Sequence, residues 1–298
     1  HAQVTLRHLC LLGAAAFFCS HSVASAQDDS DAETQDGESQ DYDAYPPVKA
    51  RPAENEAWRQ DVLVALIGGG PRFRNVRLDV GDFVGGTENR SLDTGAYFDF
   101  GWHLLIRPLG QRSPRASVRA IVLQIDGGSG IGLQVQPAES GIALNTNSWR
   151  LLGQFGYLYP LDKLLVGGLV GVGGDIFNID LNSVLPSSRI IYVRLGPAVE
   201  WTAISDYLTI RADFGLRLPF RLGELEDAFG SDSRSVGLDG VVTIGGKVNA
   251  GFTYKLRFVW EYYHYRFAGE VANVPSMGDG GSGHEHALSL QLLVGWSL

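Results

Sequence analysis

Cysteine is nearly absent from this chain of 298 residues: only Cys10 and Cys19 occur, both near the N-terminus. The body cannot be stapled by disulfides, so the small secreted, disulfide-rich folds are excluded. Methionine occurs once. Lysine and glutamate are scarce, which leaves little from which to build a helical bundle or a coiled coil. Charged residues make up 19% of the chain and the net charge is -9, a balance that argues against a nucleic-acid partner. After Trp58 no run of about 20 apolar residues occurs, so no helix is expected to cross a membrane.

Glycine, by contrast, is abundant at 38 residues with no collagen-like period, and aromatics reach 10%. The charge is uneven. Residues 27–57 hold Asp28, Asp29, Asp31, Glu33, Asp36, Glu38, Asp41, Asp43, Glu54 and Glu56 against only Lys49 and Arg51. The remainder from Trp58 onward is nearly neutral.

The N-terminus reads as an export signal over residues 1–26. Arg7 supplies the positive region, Leu9 to Cys19 an apolar core too short to span a bilayer, and Ala24-Ser25-Ala26 a small-residue cleavage site. Residues 27–57, acidic and broken by Pro46, Pro47 and Pro52, read as a disordered linker.

From residue 58 to 298 the dominant signal is a period of two. Between Leu208 and Arg221, one parity is Leu208, Ile210, Ala212, Phe214, Leu216, Leu218 and Phe220. The other carries Arg211, Asp213, Arg217 and Arg221. A strand places alternate side chains on opposite faces, so one face is wholly apolar and the other charged. Ten such segments can be placed: 60–76, 93–107, 117–136, 143–159, 164–180, 189–203, 207–221, 238–254, 256–268 and 285–298. Longer connections (77–92, 137–142, 181–188, 222–237, 269–284) alternate with shorter ones. This pattern predicts an all-β fold, a closed antiparallel transmembrane β-barrel of about ten strands, with eight or twelve as alternatives.

A soluble sandwich or lipocalin-like barrel also alternates. The strand lengths, the mixed charges on the polar parity and the aromatics near segment ends (Trp149, Tyr157, Tyr159, Trp201, Tyr207, Tyr254, Trp296) favour the membrane form. Pro197 on an apolar face conflicts with a closed barrel, which has no free edge. Gly68–Gly70, Gly167-Gly168 and Gly171–Gly174 lie inside strand segments. They are expected to permit bulges or make room for bulky lumen neighbours.

The region from Trp58 to Leu298 resembles the bacterial outer-membrane β-barrel proteins. The last segment carries the resemblance, with Leu288, Leu290, Leu292, Val294, Trp296 and Leu298 alternating against polar and small residues. The resemblance implies residence in the cell outer membrane of a Gram-negative-type cell, contact with its lipid, and recognition of the C-terminal strand by the barrel-insertion machinery.

In such a barrel the lipid-facing set would include Phe98, Phe100, Trp102, Leu208, Ile210, Phe214, Leu216, Leu292, Val294 and Trp296. The lumen would hold a charge network of Arg72, Asp99, His103, Arg150, Arg194, Glu200, Arg211, Asp213, Arg217, Lys247 and Glu261, joined by Arg74 and Asp175. Glu200 is expected to pair with Arg211 through the tight turn near 204–206. Charges in a narrow interior must pair. The expected role is therefore structural, or the porin-like passage of small solutes along a narrow channel. The alternative is a surface binding or adhesion protein acting through the outer loops.

No paired carboxylates or Asp-His pair stand out at a strand end, so no catalytic residues, cofactor or metal are assigned. An outer-membrane enzyme is the least favoured reading. His284 and His286 lie at the rim, where the 269–284 connection meets the last segment and a solvated position is expected, and two such residues without a third do not make a metal site.

Overall fold

The computed structural model describes residues 61–81, 87–109, 120–135, 144–161, 163–180, 186–204, 207–248, 251–269 and 281–298. The expected signal peptide and linker lie outside the described residues.

Strand segments follow in chain order as β1 (Leu63–Gly81), β2 (Thr87–Ile106), β3 (Ile121–Ile131), β4 (Gln134–Val135), β5 (Leu144–Leu161), β6 (Leu164–Ile179), β7 (Ser188–Ile204), β8 (Leu208–Arg221), β9 (Arg234–Lys247), β10 (Phe252–Phe267) and β11 (Gly281–Ser297). Each pairs antiparallel with its chain neighbour, and β1 closes onto β11 in register from Val64↔Ser297 to Val80↔Gly281. β3 and β4 both pair with β5 and form one stave interrupted at Gly132, where φ is 65°. The result is a closed barrel of ten staves. Closure removes every free sheet edge.

The alternation of side chains sorts into an outer and an inner face. Outside lie Ile67, Phe98, Phe155, Val170, Val172, Leu195, Phe214, Leu256, Phe258 and Leu292, all exposed. Along β11 the outward apolar set runs without interruption from Leu298 to Leu288. That is about 34 Å along the strand, or about 26 Å along the barrel axis at a tilt near 40°. The length matches the apolar band of a membrane barrel, about 25 Å tall.

Beyond that band the polarity inverts. In the upper part of β1, Val76, Leu78 and Val80 are buried while Arg77 and Asp79 are exposed. In β10, Tyr263, Tyr265 and Phe267 point in and His264 and Arg266 point out. The barrel therefore continues past the band as an ordinary water-soluble sheet with an apolar core. This inversion corrects the expected loop at 77–92. β1 runs to Gly81 and β2 starts at Thr87, so most of that span is strand. His284, expected at the end of the 269–284 connection, likewise lies within β11, as does His286.

Two other boundaries differ from expectation. The segment 238–254 is split: β9 spans Arg234–Lys247, and the chain turns through Gly251, with φ 85°, into β10. Even-numbered residues face outward on both sides of the turn, so a period-two pattern runs through it unbroken. Between β8 and β9 lies a short helix, α1 (Glu224–Phe229), in which Leu225 is buried and Phe229 packs on Phe267 at a ring separation of 5.0 Å.

Pro197 is accommodated without an edge. It points outward on β7, and the β7–β8 register passes from Leu195↔Leu216 to Ala198↔Asp213 without bridging there. Several inward glycines stand beside large interior side chains. A Cβ at Gly128 would lie 2.7 Å from the Arg150 guanidinium, one at Gly237 2.7 Å from the Tyr263 ring, and one at Gly101 2.7 Å from Gln291. In a barrel this narrow, the volume missing at each glycine is filled by a neighbour's long side chain.

Candidate functional site

The charged residues of the expected lumen network lie on the inward face, except Arg221, which was expected to stack inward with Arg211, Asp213 and Arg217, and the interior is stratified. At the end bearing α1, an apolar layer unites Leu78, Leu92, Tyr97, Phe177, Ile190, Leu225 and Tyr265 with their neighbours. Tyr263, Tyr265 and Phe267 stack along β10 at 6.1 and 6.0 Å. One ion pair is set into this layer. Arg74 lies 2.9 Å from Glu285, which also accepts a hydrogen bond from the Tyr265 hydroxyl at 2.8 Å, and the guanidinium lies 3.9 Å over the Phe177 ring.

Below lies a belt of charge. Arg194 donates to both oxygens of Asp239, at 2.8 Å to Oδ2 and 2.6 Å to Oδ1. Arg217 reaches three acids from three strands: Asp239 at 2.6 Å, Glu261 at 2.9 Å and Asp175 at 3.0 Å. It also donates to the Tyr263 hydroxyl at 2.8 Å. Arg72 pairs with Glu261, and Arg150 pairs with Asp99. Asp99 also accepts from Gln291 at 2.6 Å. Exposure is 0% at Asp239 and 1% at Arg194, so the centre of the belt is shielded from solvent.

Toward the end where β1 begins and β11 ends, apolar and charged residues share the staves. Leu66, Leu105, Val122, Leu158, Leu165 and Leu293 form an apolar cluster. Charged pairs stand beside it. Arg107 donates to Glu200 at 3.0 and 2.9 Å, Arg257 pairs with Asp126 at 2.7 Å, and His103 lies 2.8 Å from Asp126. Lys247 meets Asp61 at 2.5 Å at the mouth.

These contacts refine the expected pairing. Glu200 and Arg211 are direct cross-strand partners, but their charged atoms stand 3.9 Å apart. Arg107 is the nearer partner of Glu200. Arg211 instead binds Asp213 at 3.1 Å on its own strand and Gln124 at 2.7 Å across the lumen. Arg221 does not join the inward stack: it is exposed, because a bulge between Ile191 and Tyr192 shifts the register at the end of β8.

Phe98, Phe100, Phe214, Leu292, Val294 and Trp296 are exposed on the outer face. Trp102, Leu208, Ile210 and Leu216 share that parity and are half-buried by their neighbours. Asp239, Asp126 and Arg257 were not singled out from the sequence, and Glu285 was noted only at the rim between His284 and His286. Asp239 falls at the start of a segment drawn too late, and Asp126 precedes Gly127 and Gly128, where side-chain alternation lapses.

The belt encloses a cavity of about 40 Å³, lined by Gln154, Arg194, Asp213, Asp239 and Arg257 among others. Its volume is that of one or two waters. The Gln154 amide nitrogen and Arg194 Nη1, on residues that line this cavity, have no hydrogen-bond partner among the described residues. Among the described residues no group of three or more His, Cys, Asp or Glu is arranged to hold a metal ion.

No protein-family model and no curated protein sequence matches the chain. Among solved structures, it is similar to an outer membrane channel from Pseudomonas putida F1 at 11% identity and a TM-score of 0.40, covering 81% of this chain and 99% of that one. It is also similar to a FadL homologue from Pseudomonas aeruginosa at 8% identity and a TM-score of 0.30, covering 80% and 91%. A monoaromatic hydrocarbon channel, TodX, aligns at 9% identity and a TM-score of 0.31, covering 81% and 92%. Likenesses this distant say nothing of how the present interior is built.

Proposed function

We propose that this chain is an integral outer-membrane β-barrel whose interior is locked shut by its charge belt, so that its resting role is structural. The observation that carries this reading is the pairing of an apolar outer band with an interior in which Arg217 alone ties Asp175, Asp239 and Glu261 together. An apolar exterior suits lipid, and a closed barrel satisfies its backbone polar groups internally, as a bilayer demands. Charges so buried are stable only when paired, and paired charges crossing a narrow lumen obstruct it.

A narrow passage for small solutes is the second reading. Gln154 and Arg194, which line the central cavity, favour it, because their buried N–H donors, partnerless among the described residues, attract water. Planar-bilayer recording separates the two. The parent barrel should show no discrete steps, and Arg217→Ala, which dissolves the hub, should show them. Steady ion-conducting steps from the parent would overturn the sealed-barrel reading in favour of the channel.

A further inference from the structure

The outer wall of the barrel carries a basic patch that the interior does not explain. Cross-strand register builds it row by row on β1, β11, β10 and β9. Phe73, Leu288 and Trp260 form one row, outward-facing and apolar. In the next row Asn75 stands beside His286 and Tyr262. Above it Arg77 stands beside His284 and His264. In the fourth, Asp79, Ser282, Arg266 and Arg234 are neighbours. Thus Arg77, Arg234, Arg266, His264, His284 and His286 share one face, starting one row above the apolar band.

These side chains are available. All are exposed except His284, which is half-buried. Among the described residues the three arginines enter no ion pair; of the two exposed acids beside the patch, Asp79 is engaged by Asn89 at 2.9 Å and Asp93, next to Asn75, accepts from the Gly95 amide at 2.9 Å. The imidazoles are clustered, His284 to His286 at 5.6 Å and His286 to the Tyr262 ring at 4.8 Å. Trp260 and Tyr262 stack in parallel beneath, at 6.5 Å and 5°, in the manner of interfacial aromatics.

We propose that this patch binds the phosphorylated headgroup of a membrane lipid in the leaflet at the α1 end, with the acyl chains lying over Phe73, Leu288 and Trp260. The occupant follows from two features together. Guanidinium groups match phosphate in charge and fork geometry. Their place directly above an apolar band sets a phosphate where a lipid already resting on that band would present it. The inference rests on the membrane reading given above.

Native mass spectrometry of the detergent-extracted full chain, titrated with a bis-phosphorylated glucosamine lipid, tests it. The parent should retain the lipid. The variant Arg77→Gln/Arg234→Gln/Arg266→Gln should lose affinity on the order of a hundredfold, roughly fivefold per arginine. A control variant, Lys163→Gln/Arg189→Gln, removes exposed charges outside the patch and should bind as the parent does. Heat-modifiable gel migration confirms that each variant is folded. Equal retention by parent and triple variant, with the parent resistant to carbonate extraction from membranes, would overturn the lipid site alone. A parent washed out of membranes by carbonate would overturn the membrane reading and this site with it. Excess inorganic phosphate should leave the lipid in place; full displacement would mark a free-phosphate site and overturn the lipid assignment.

Discussion

Glu285 shows how costly a single interior charge can become. It neutralises Arg74 inside an aromatic layer, and the Tyr265 hydroxyl completes its hydrogen bonding. Glu285→Ala would leave Arg74 charged and buried without a counter-ion. The loss should be about 3–5 kcal/mol, obtained from the urea unfolding curve of the folded band on unheated gels. Removing both charges as Arg74→Met/Glu285→Leu should recover most of that loss, because no unpaired charge remains. Tyr265→Phe should cost only about 1 kcal/mol, one hydrogen bond's worth. A double variant as unstable as Glu285→Ala would mean that packing, not charge pairing, dominates at this position.

At the scale of the strand, β8 contrasts its two faces most sharply. Phe214 is 48% exposed on the outer face, whereas Asp213 is 7% exposed within. Phe214→Arg should destabilise the barrel by about 2–4 kcal/mol in lipid if it lies near the midplane. Arg221→Ala, beyond the bulge and exposed, should change stability by less than about 0.5 kcal/mol. The same chemical denaturation series in lipid vesicles reads both, and a large effect at Arg221 would restore it to the interior stack. The neighbouring glycine supplies a second test. A Cβ at Gly215 would lie 2.7 Å from Asp239 Oδ1, in the Arg194 pair. Gly215→Val should therefore split that pair and destabilise the barrel, whereas the same change at outward Gly240, where the nearest atom is 3.7 Å away on Trp260, should be mild.

The elements themselves were largely legible in the residues because an apolar outer face and an inner face of paired charge impose a strict period of two. Legibility failed where that contrast weakens or persists too long. The upper halves of β1 and β2 invert polarity above the band, so Arg77 and Asp79 read as loop. The β9–β10 turn keeps Val248 and Phe252 on one parity, so it passed as strand. The inward set of charges was readable from parity alone, but their partners were not. Arg107 with Glu200, or Arg257 with Asp126, depend on which staves face one another across the lumen, a property of closure that no local pattern records.

For the whole molecule, the central claim is that the lumen is a cross-linked interior closed to bulk water beneath an apolar cap. The absence of cysteine beyond Cys19 makes single-cysteine labelling clean. Ser289 faces inward at 2% exposure beside Asp99, and its neighbour Leu290 faces outward at 44%. In membranes, Ser289→Cys should resist a small water-soluble thiol reagent applied from either side, while Leu290→Cys should react only with a lipid-soluble maleimide. Rapid modification of Ser289→Cys by the water-soluble reagent in the folded barrel would show a water-filled lumen and contradict the account.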